Sequence, residues 1–200
     1  QIFIGDQGRS NLMRVALQKV NGEYQGVIFD FVNRLQTGCI RHVFAEDGSL
    51  WVGQTGRGWG SAGGKEFGLQ RLVWDGKTTP FAPGFRSPNG VNFDAQGRLW
   101  ATDNQGDWVG TSKMHHVQQG KFYGHAASLL WRDGWEGRPL NRPLPELDGL
   151  RTPAAVLFPH GLMSNSPTQP LADSTGGKFG PFAGQLLVGE MNRGRIMRVA

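Results

Sequence analysis

Residues able to do chemistry concentrate in the middle and at the end of this chain. Asp103-Asn104-Gln105-Gly106-Asp107 offers carboxylate, amide and backbone oxygens in one short run, the hard donors that Ca²⁺ prefers. Asp and Asn are also common turn residues, and no glutamate follows at the position an EF-hand needs, so a metal role and a plain turn both stand. On the metal reading Asp103 and Asn104 are the candidate ligands. His115 and His116 are adjacent, so on a strand their side chains leave by opposite faces and cannot chelate one ion together. His125 follows Phe122-Tyr123-Gly124, and His160 lies in Phe158-Pro159-His160-Gly161. A neighbouring glycine places each imidazole in a loop, where it can meet a ligand or cap a turn. Arg193 and Arg195 flank Gly194, and planar cations there suit a carboxylate or a quinone oxygen.

Several functional classes fall away. The sequence holds no G-x-S-x-G elbow, no phosphate-binding Walker loop and no H-E-x-x-H, and Gly58-Trp59-Gly60 lacks the helix pattern that a dinucleotide fingerprint needs. Cys39 is alone, which excludes an intrachain disulfide, a cysteine zinc site and a C-x-x-C-H haem attachment within these residues. The formal charge of +5 comes mostly from arginines scattered singly, so a nucleic-acid partner is not expected. No run approaches the roughly 18 apolar residues that cross a bilayer, and the longest candidate, Ala154-Ala155-Val156-Leu157-Phe158, is of strand length.

The elements that must position these residues read as strands. Glycine, at 31 of 200 residues, stands at about twice its usual share, and Trp and Phe are plentiful, which favours short strands joined by tight turns. Residues 1–6, 11–20 and 24–31 read as a meander, with Asn21-Gly22 as a hairpin turn because both residues tolerate positive φ. His42-Val43-Phe44 through Asp47-Gly48 to Leu50-Trp51-Val52 is repeated 49 residues later, where Phe93 matches Phe44, Gly97 matches Gly48 and Leu99-Trp100 match Leu50-Trp51. Ile2-Phe3-Ile4 and Leu186-Leu187-Val188 are further copies of what reads as an inner run. Residues 1–16 also align without gaps on 185–200.

Repeats of roughly 40–50 residues with four short strands each are the mark of a β-propeller. The expectation is an all-β chain of four-stranded blades, about four of them, near 1–35, 40–80, 86–125 and 150–200, forming a single domain or a piece of a larger ring. The gap before the last copy holds either one blade with a long insertion or two divergent blades. Residues 53–68, carrying Trp59, and 164–180 read as surface loops. Residues 131–153, rich in proline, read as a surface excursion.

Arg86-Ser87-Pro88-Asn89-Gly90-Val91, Gly97-Arg98-Leu99-Trp100-Ala101-Thr102-Asp103 and Gly120-Lys121-Phe122-Tyr123-Gly124-His125, in that order, resemble the soluble glucose/sorbosone (aldose sugar) dehydrogenases, the quinoprotein propellers. Within these, the strings DNQGDWVGTSK, FYGH, PHG and GEMNR are most similar to the membrane-bound dehydrogenase or haem-binding-domain proteins of planctomycete-type bacteria. The resemblance implies six blades, pyrroloquinoline quinone (PQQ) and Ca²⁺ as cofactors, and oxidation of a sugar or related alcohol by hydride transfer to the quinone. It implies a periplasmic or secreted protein and allows a c-type cytochrome as electron acceptor. Arg86 would match the arginine of the family's Arg-Asn-Pro-Gln-Gly motif, which contacts the quinone, with Ser87 in place of its asparagine. His125, His160, Arg193 and Arg195 would join Arg86 and Ser87 around the cofactor, and Asp103 and Asn104 fall where calcium ligands are placed. No residue matches the family's catalytic histidine, so these residues alone are not expected to be catalytically complete. The blade order also differs from the family's, because a blade of the Asp-Gly-Ser-Leu-Trp-Val type comes first. The alternative is a non-catalytic propeller that binds carbohydrate or docks a fused cytochrome module.

Overall fold

Local alternation and turn chemistry produce a run of antiparallel sheets. The computed structural model describes residues 2–200 other than Trp59, Gly76 and Asp133; the position expected for Trp59 therefore lies outside the described residues. The first sheet is the meander β1 (Ile2–Asp6), β2 (Asn11–Val20) and β3 (Glu23–Val32). The second is β4 (Cys39–Phe44), β5 (Leu50–Thr55), β6 (Phe67–Leu72) and β7 (Thr78–Pro80). In the third, β8 (Pro88–Phe93), β9 (Leu99–Asp103) and β10 (Ser112–His116) are joined by β11 (Val156–Phe158). The fourth is β12 (Pro167–Ala172), β13 (Leu186–Glu190) and β14 (Arg195–Val199). Strands are paired in sequence order and the sheets follow one another, a partial β-propeller.

The repeats seen in the sequence are repeats of register. Phe44 pairs with Leu50 and Val43 with Trp51, as Phe93 pairs with Leu99 and Asn92 with Trp100. Ile2 pairs with Val15 and Asp6 with Asn11, as Leu186 pairs with Val199 and Glu190 with Arg195. The runs at Leu50-Trp51, Leu99-Trp100 and Leu186-Leu187 are the second strands of their sheets, not the inner ones. They look innermost in sequence because a second strand is flanked on both sides and buried on both faces. The first strands β4, β8 and β12 are the ones that meet from sheet to sheet.

Two expected loops are partly strand. Gly53, Gln54 and Thr55 belong to β5, and Phe67 and Gly68 to β6, because ladder hydrogen bonds use main-chain groups that glycine also has. Pro167–Ala172 forms β12 within the stretch read as a polar loop. Its prolines are tolerated because it is an edge strand whose pairing shifts register between Pro167 and Pro170. The gap between β10 and β11 is one insertion within one sheet. It contains a 3₁₀ turn at Ala126–Trp131, another at Pro139–Asn141 and the short helix α1 (Leu144–Leu150).

The apolar core lies between sheets. Leu12, Val32, Leu35, Leu50 and Val52 seal the first against the second; Trp51, Leu69, Phe85, Val91 and Tyr123 seal the second against the third; Met114, Phe158, Val188 and Met197 seal the third against the fourth. Each such side chain, fully buried, contributes roughly 1.5–3 kcal/mol. Leu147 on α1 joins Phe122, Ala126 and Leu129, so the insertion has a small core of its own.

Candidate functional site

The second strands β5, β9 and β13 end on Thr55, Asp103 and Glu190, and in the third sheet this polar end becomes the organising group of a site. Asp103, the last residue of β9, is fully buried. Its carboxylate accepts hydrogen bonds from the main-chain N–H groups of Arg86 (3.1 Å) and Ser87 (2.6 Å), just before β8 begins. Glu190 does the equivalent work at the end of β13, accepting from the amides of Asn165 and Ser166 before β12, each at 3.2 Å. The carboxylate of Asp103 thereby fixes where the Arg86 side chain starts.

Lys113 on β10 pairs with Asp103 across the ladder. Its ammonium lies 3.5 Å from the Asp103 carboxylate, with side chains 3% and 0% exposed. It also donates to the carbonyl oxygens of Asn104 (2.7 Å) and Thr111 (3.3 Å). Burial lowers the Lys113 pKa from its usual value, and the Asp103 charge opposes that shift.

The loop from 104 to 111 carries the rest. A Cβ built on Gly106 would lie 3.2 Å from His125 Nδ1 and 3.5 Å from Arg86 Cδ, so this glycine lets the loop lie directly on both side chains. His125 is 3% exposed and meets the Phe67 ring edge-on at 4.6 Å. Its pKa is pushed down to about 4, by burial first, with Asp103 and Asp107 opposing and Arg57 and Arg86 reinforcing the shift. The imidazole is neutral at pH 7. Burial, and then the charge of Arg57, lower the pKa of Arg86 as well. Arg86 Nε, Asn104 Oδ1, Gln105 Oε1 and both ring nitrogens of His125 are buried and make no hydrogen bond within the protein. Two mutually repelling guanidinium groups beside such atoms make a polar cluster whose chemistry suits an anionic, oxygen-rich ligand.

Of the residues singled out from sequence, Arg86, Ser87, Asp103, Asn104 and His125 come together here. His160, Arg193 and Arg195 do not. His160 is exposed, and its main-chain N–H donates to Thr111 Oγ1 at 3.1 Å. The Arg193 guanidinium donates to Gly161 O, and that of Arg195 to Leu162 O (2.8 Å) and Met163 O (2.6 Å). These arginines hold the 159–163 turn in place. Calcium at Asp103 and Asn104 does not fit the donor set. The carboxylate is already shared by two amides and an ammonium, and a divalent ion there would face Lys113. Among the described residues no group of three or more His, Cys, Asp or Glu side chains could hold a metal.

Lys113, Arg57 and Gln105 also stand at this site although no motif in the sequence marks them as candidates, and His115 is buried close by. His115 is 1% exposed, with neither ring nitrogen hydrogen-bonded, packed at 4.8 Å from the Tyr123 ring and 5.8 Å from that of Phe85. Its pKa is also pushed down to about 4, chiefly by burial. The available signal was Lys113 itself, a lysine set in a short strand ten residues after a carboxylate that ends the preceding strand.

No family model matches the chain, and no curated protein does. Solved structures do. A crystal structure of glucose dehydrogenase superimposes with a TM-score of 0.61 at 12% identity, over 95% of this chain and 65% of that one. The soluble aldose sugar dehydrogenase from Escherichia coli, in its apo form, superimposes with a TM-score of 0.55 at 14% identity, over 96% and 68%. A further glucose dehydrogenase gives 0.59 at 12%, over 96% and 64%. The chain thus spans about two thirds of the length of these structures. Likeness at such identity carries the fold, and the fold it carries is the dehydrogenase-type propeller.

Proposed function

We propose that this chain is the site-bearing part of a quinoprotein-like dehydrogenase that oxidises sugars or related alcohols. The polar cluster of Arg86, the 104–107 loop and His125 is its redox-ligand site. The observation that carries this reading is the set of buried, unpartnered polar atoms on Arg86, Asn104, Gln105 and His125. Each such group left unpaired costs about 1–3 kcal/mol, so the site is built for a ligand that completes it. The likeness of the fold to sugar dehydrogenases supports the substrate class.

The residues fit an anionic quinone, and the motif resemblance names it as PQQ. When bound, this group would supply hydride acceptance, the chemistry that no side chain provides. The chain's own part is electrostatic. Arg86 and Arg57 would hold the ligand's anionic oxygens and favour charge that builds up on reduction. Neutral His125 offers one donor and one acceptor, and the side-chain oxygens of Asn104 and Gln105 accept from hydroxyl groups. Phe67 shields the imidazole from water.

Titrating the purified full-length protein with the quinone, then adding aldoses and a redox dye, tests the proposal. Saturable uptake, weakened at least about tenfold in Arg86→Ala, with aldose-dependent dye reduction is the expected result. No uptake and no turnover would overturn it. A second reading rests on Lys113, whose ammonium stands where the resemblance places calcium: a non-catalytic propeller that binds carbohydrate or docks a cytochrome module. Binding on a glycan array without quinone uptake would favour it. A c-type cytochrome acceptor and a periplasmic or secreted location belong to the first reading, and cell fractionation with cytochrome reduction checks both.

A further inference from the structure

Lys113 is 2% exposed although lysine side chains normally extend to solvent. Its ammonium is surrounded by the carbonyl oxygens of Asn104 and Thr111 and by the Asp103 carboxylate. One buried charge therefore ties the two ends of the 104–111 loop to the carboxylate that also fixes the main chain at Arg86 and Ser87. Main-chain carbonyls plus a carboxylate converging on one positive charge is the arrangement by which loops hold a divalent ion.

We propose that Lys113 is a built-in cation that takes the place of a metal ion: it closes the 104–111 loop, so that Asn104, Gln105 and Gly106 stand against Arg86 and His125 with no ion bound. Lys113 is a positioning residue and touches no ligand in this role. A tethered ammonium cannot be removed by a chelator, and it leaves no vacant oxygen set for an added divalent cation. The inference concerns the same loop as the proposed dehydrogenase site, but neither quinone nor turnover enters its test.

The test uses the purified protein as wild type, Lys113→Ala and Lys113→Ala/Asp103→Asn. Thermal unfolding is followed with EDTA, with calcium chloride and with ethylammonium chloride. The wild-type midpoint is expected to be unmoved by EDTA and by calcium. Lys113→Ala should melt roughly 10 °C lower, because a buried carboxylate loses its partner. Calcium or ethylammonium should restore several degrees to Lys113→Ala by filling the vacated position. The double variant, lacking the carboxylate charge, should show no such rescue. Destabilisation of Lys113→Ala that neither cation relieves would reduce Lys113 to a packing residue and overturn the proposal. So would a wild type that EDTA weakens or calcium strengthens. If Lys113→Ala does not fold, the wild-type arms decide: insensitivity to both reagents supports the built-in cation, and a shift with either overturns it.

Discussion

At Asp103 and Lys113 a single ion pair separates this site from a simple acidic loop. Two buried charges are tolerable only when each satisfies the other and the remaining hydrogen-bonding capacity is used, as both are here. Replacing Asp103 by Leu leaves the ammonium buried without its counter-ion and frees the amides of Arg86 and Ser87; a loss of about 3–5 kcal/mol in urea unfolding is expected. The two buried histidines set a pH limit. Both are held near pKa 4 when folded, below the ordinary 6.5, so the unfolded chain binds more protons between those values. Their contribution is fully present above about pH 6.5 and is lost as pH falls towards 4, on the order of 3 kcal/mol for each histidine. Unfolding midpoints measured from pH 7 to pH 4 should fall steeply, and less so in His115→Phe, which keeps the ring among Phe85 and Tyr123 but cannot be protonated.

Among the elements, β8 is the one on which the site depends, because it meets both β4 and β12. Asn89 and Asn92 donate to the Pro167 and Pro170 carbonyls on β12, at 3.1 and 2.9 Å. A Cβ on Gly90 would come within 2.4 Å of Gln169 Cα, a backbone atom that cannot step aside. Gly90→Val should push β12 away and cost about 1–3 kcal/mol, read from chemical denaturation. The same substitution should weaken ligand binding at Arg86, since Asp103 anchors the start of β8. The strand pattern around Gly90 was legible from sequence, as was the glycine turn repeated at Gly48 between β4 and β5 and at Gly97 between β8 and β9, because ladder register and turn chemistry are local. Strand β12 was not legible, since its two prolines mark a loop until the edge position that tolerates them is known.

For the whole molecule, stability comes from cores shared between successive sheets, so each sheet depends on its neighbours. The outer strand of the first sheet, β3, has eight consecutive exposed residues, among them Tyr24, Val27, Ile28 and Phe29. A long apolar edge of this kind is a template for pairing between chains. The 200-residue chain produced alone should self-associate in a concentration-dependent way, seen by sedimentation, and Ile28→Lys should reduce that association. Unchanged association would place the contact elsewhere.

The sequence alone determined the all-β class, the 49-residue repeat, the match between the two ends and the gathering of candidate residues between Arg86 and His125. These follow from side-chain alternation and turn preferences, which act over a few residues and leave a written trace. Only the tertiary structure decided which polar groups share one volume. It paired Asp103 with Lys113, brought Arg57 from another sheet towards Arg86 and His125, and assigned Arg193 and Arg195 to the carbonyls of the 159–163 turn. The physical reason is that charge pairing and desolvation depend on distances across strands and sheets. An acidic residue after a strand reads the same whether its partner is a metal ion or a lysine.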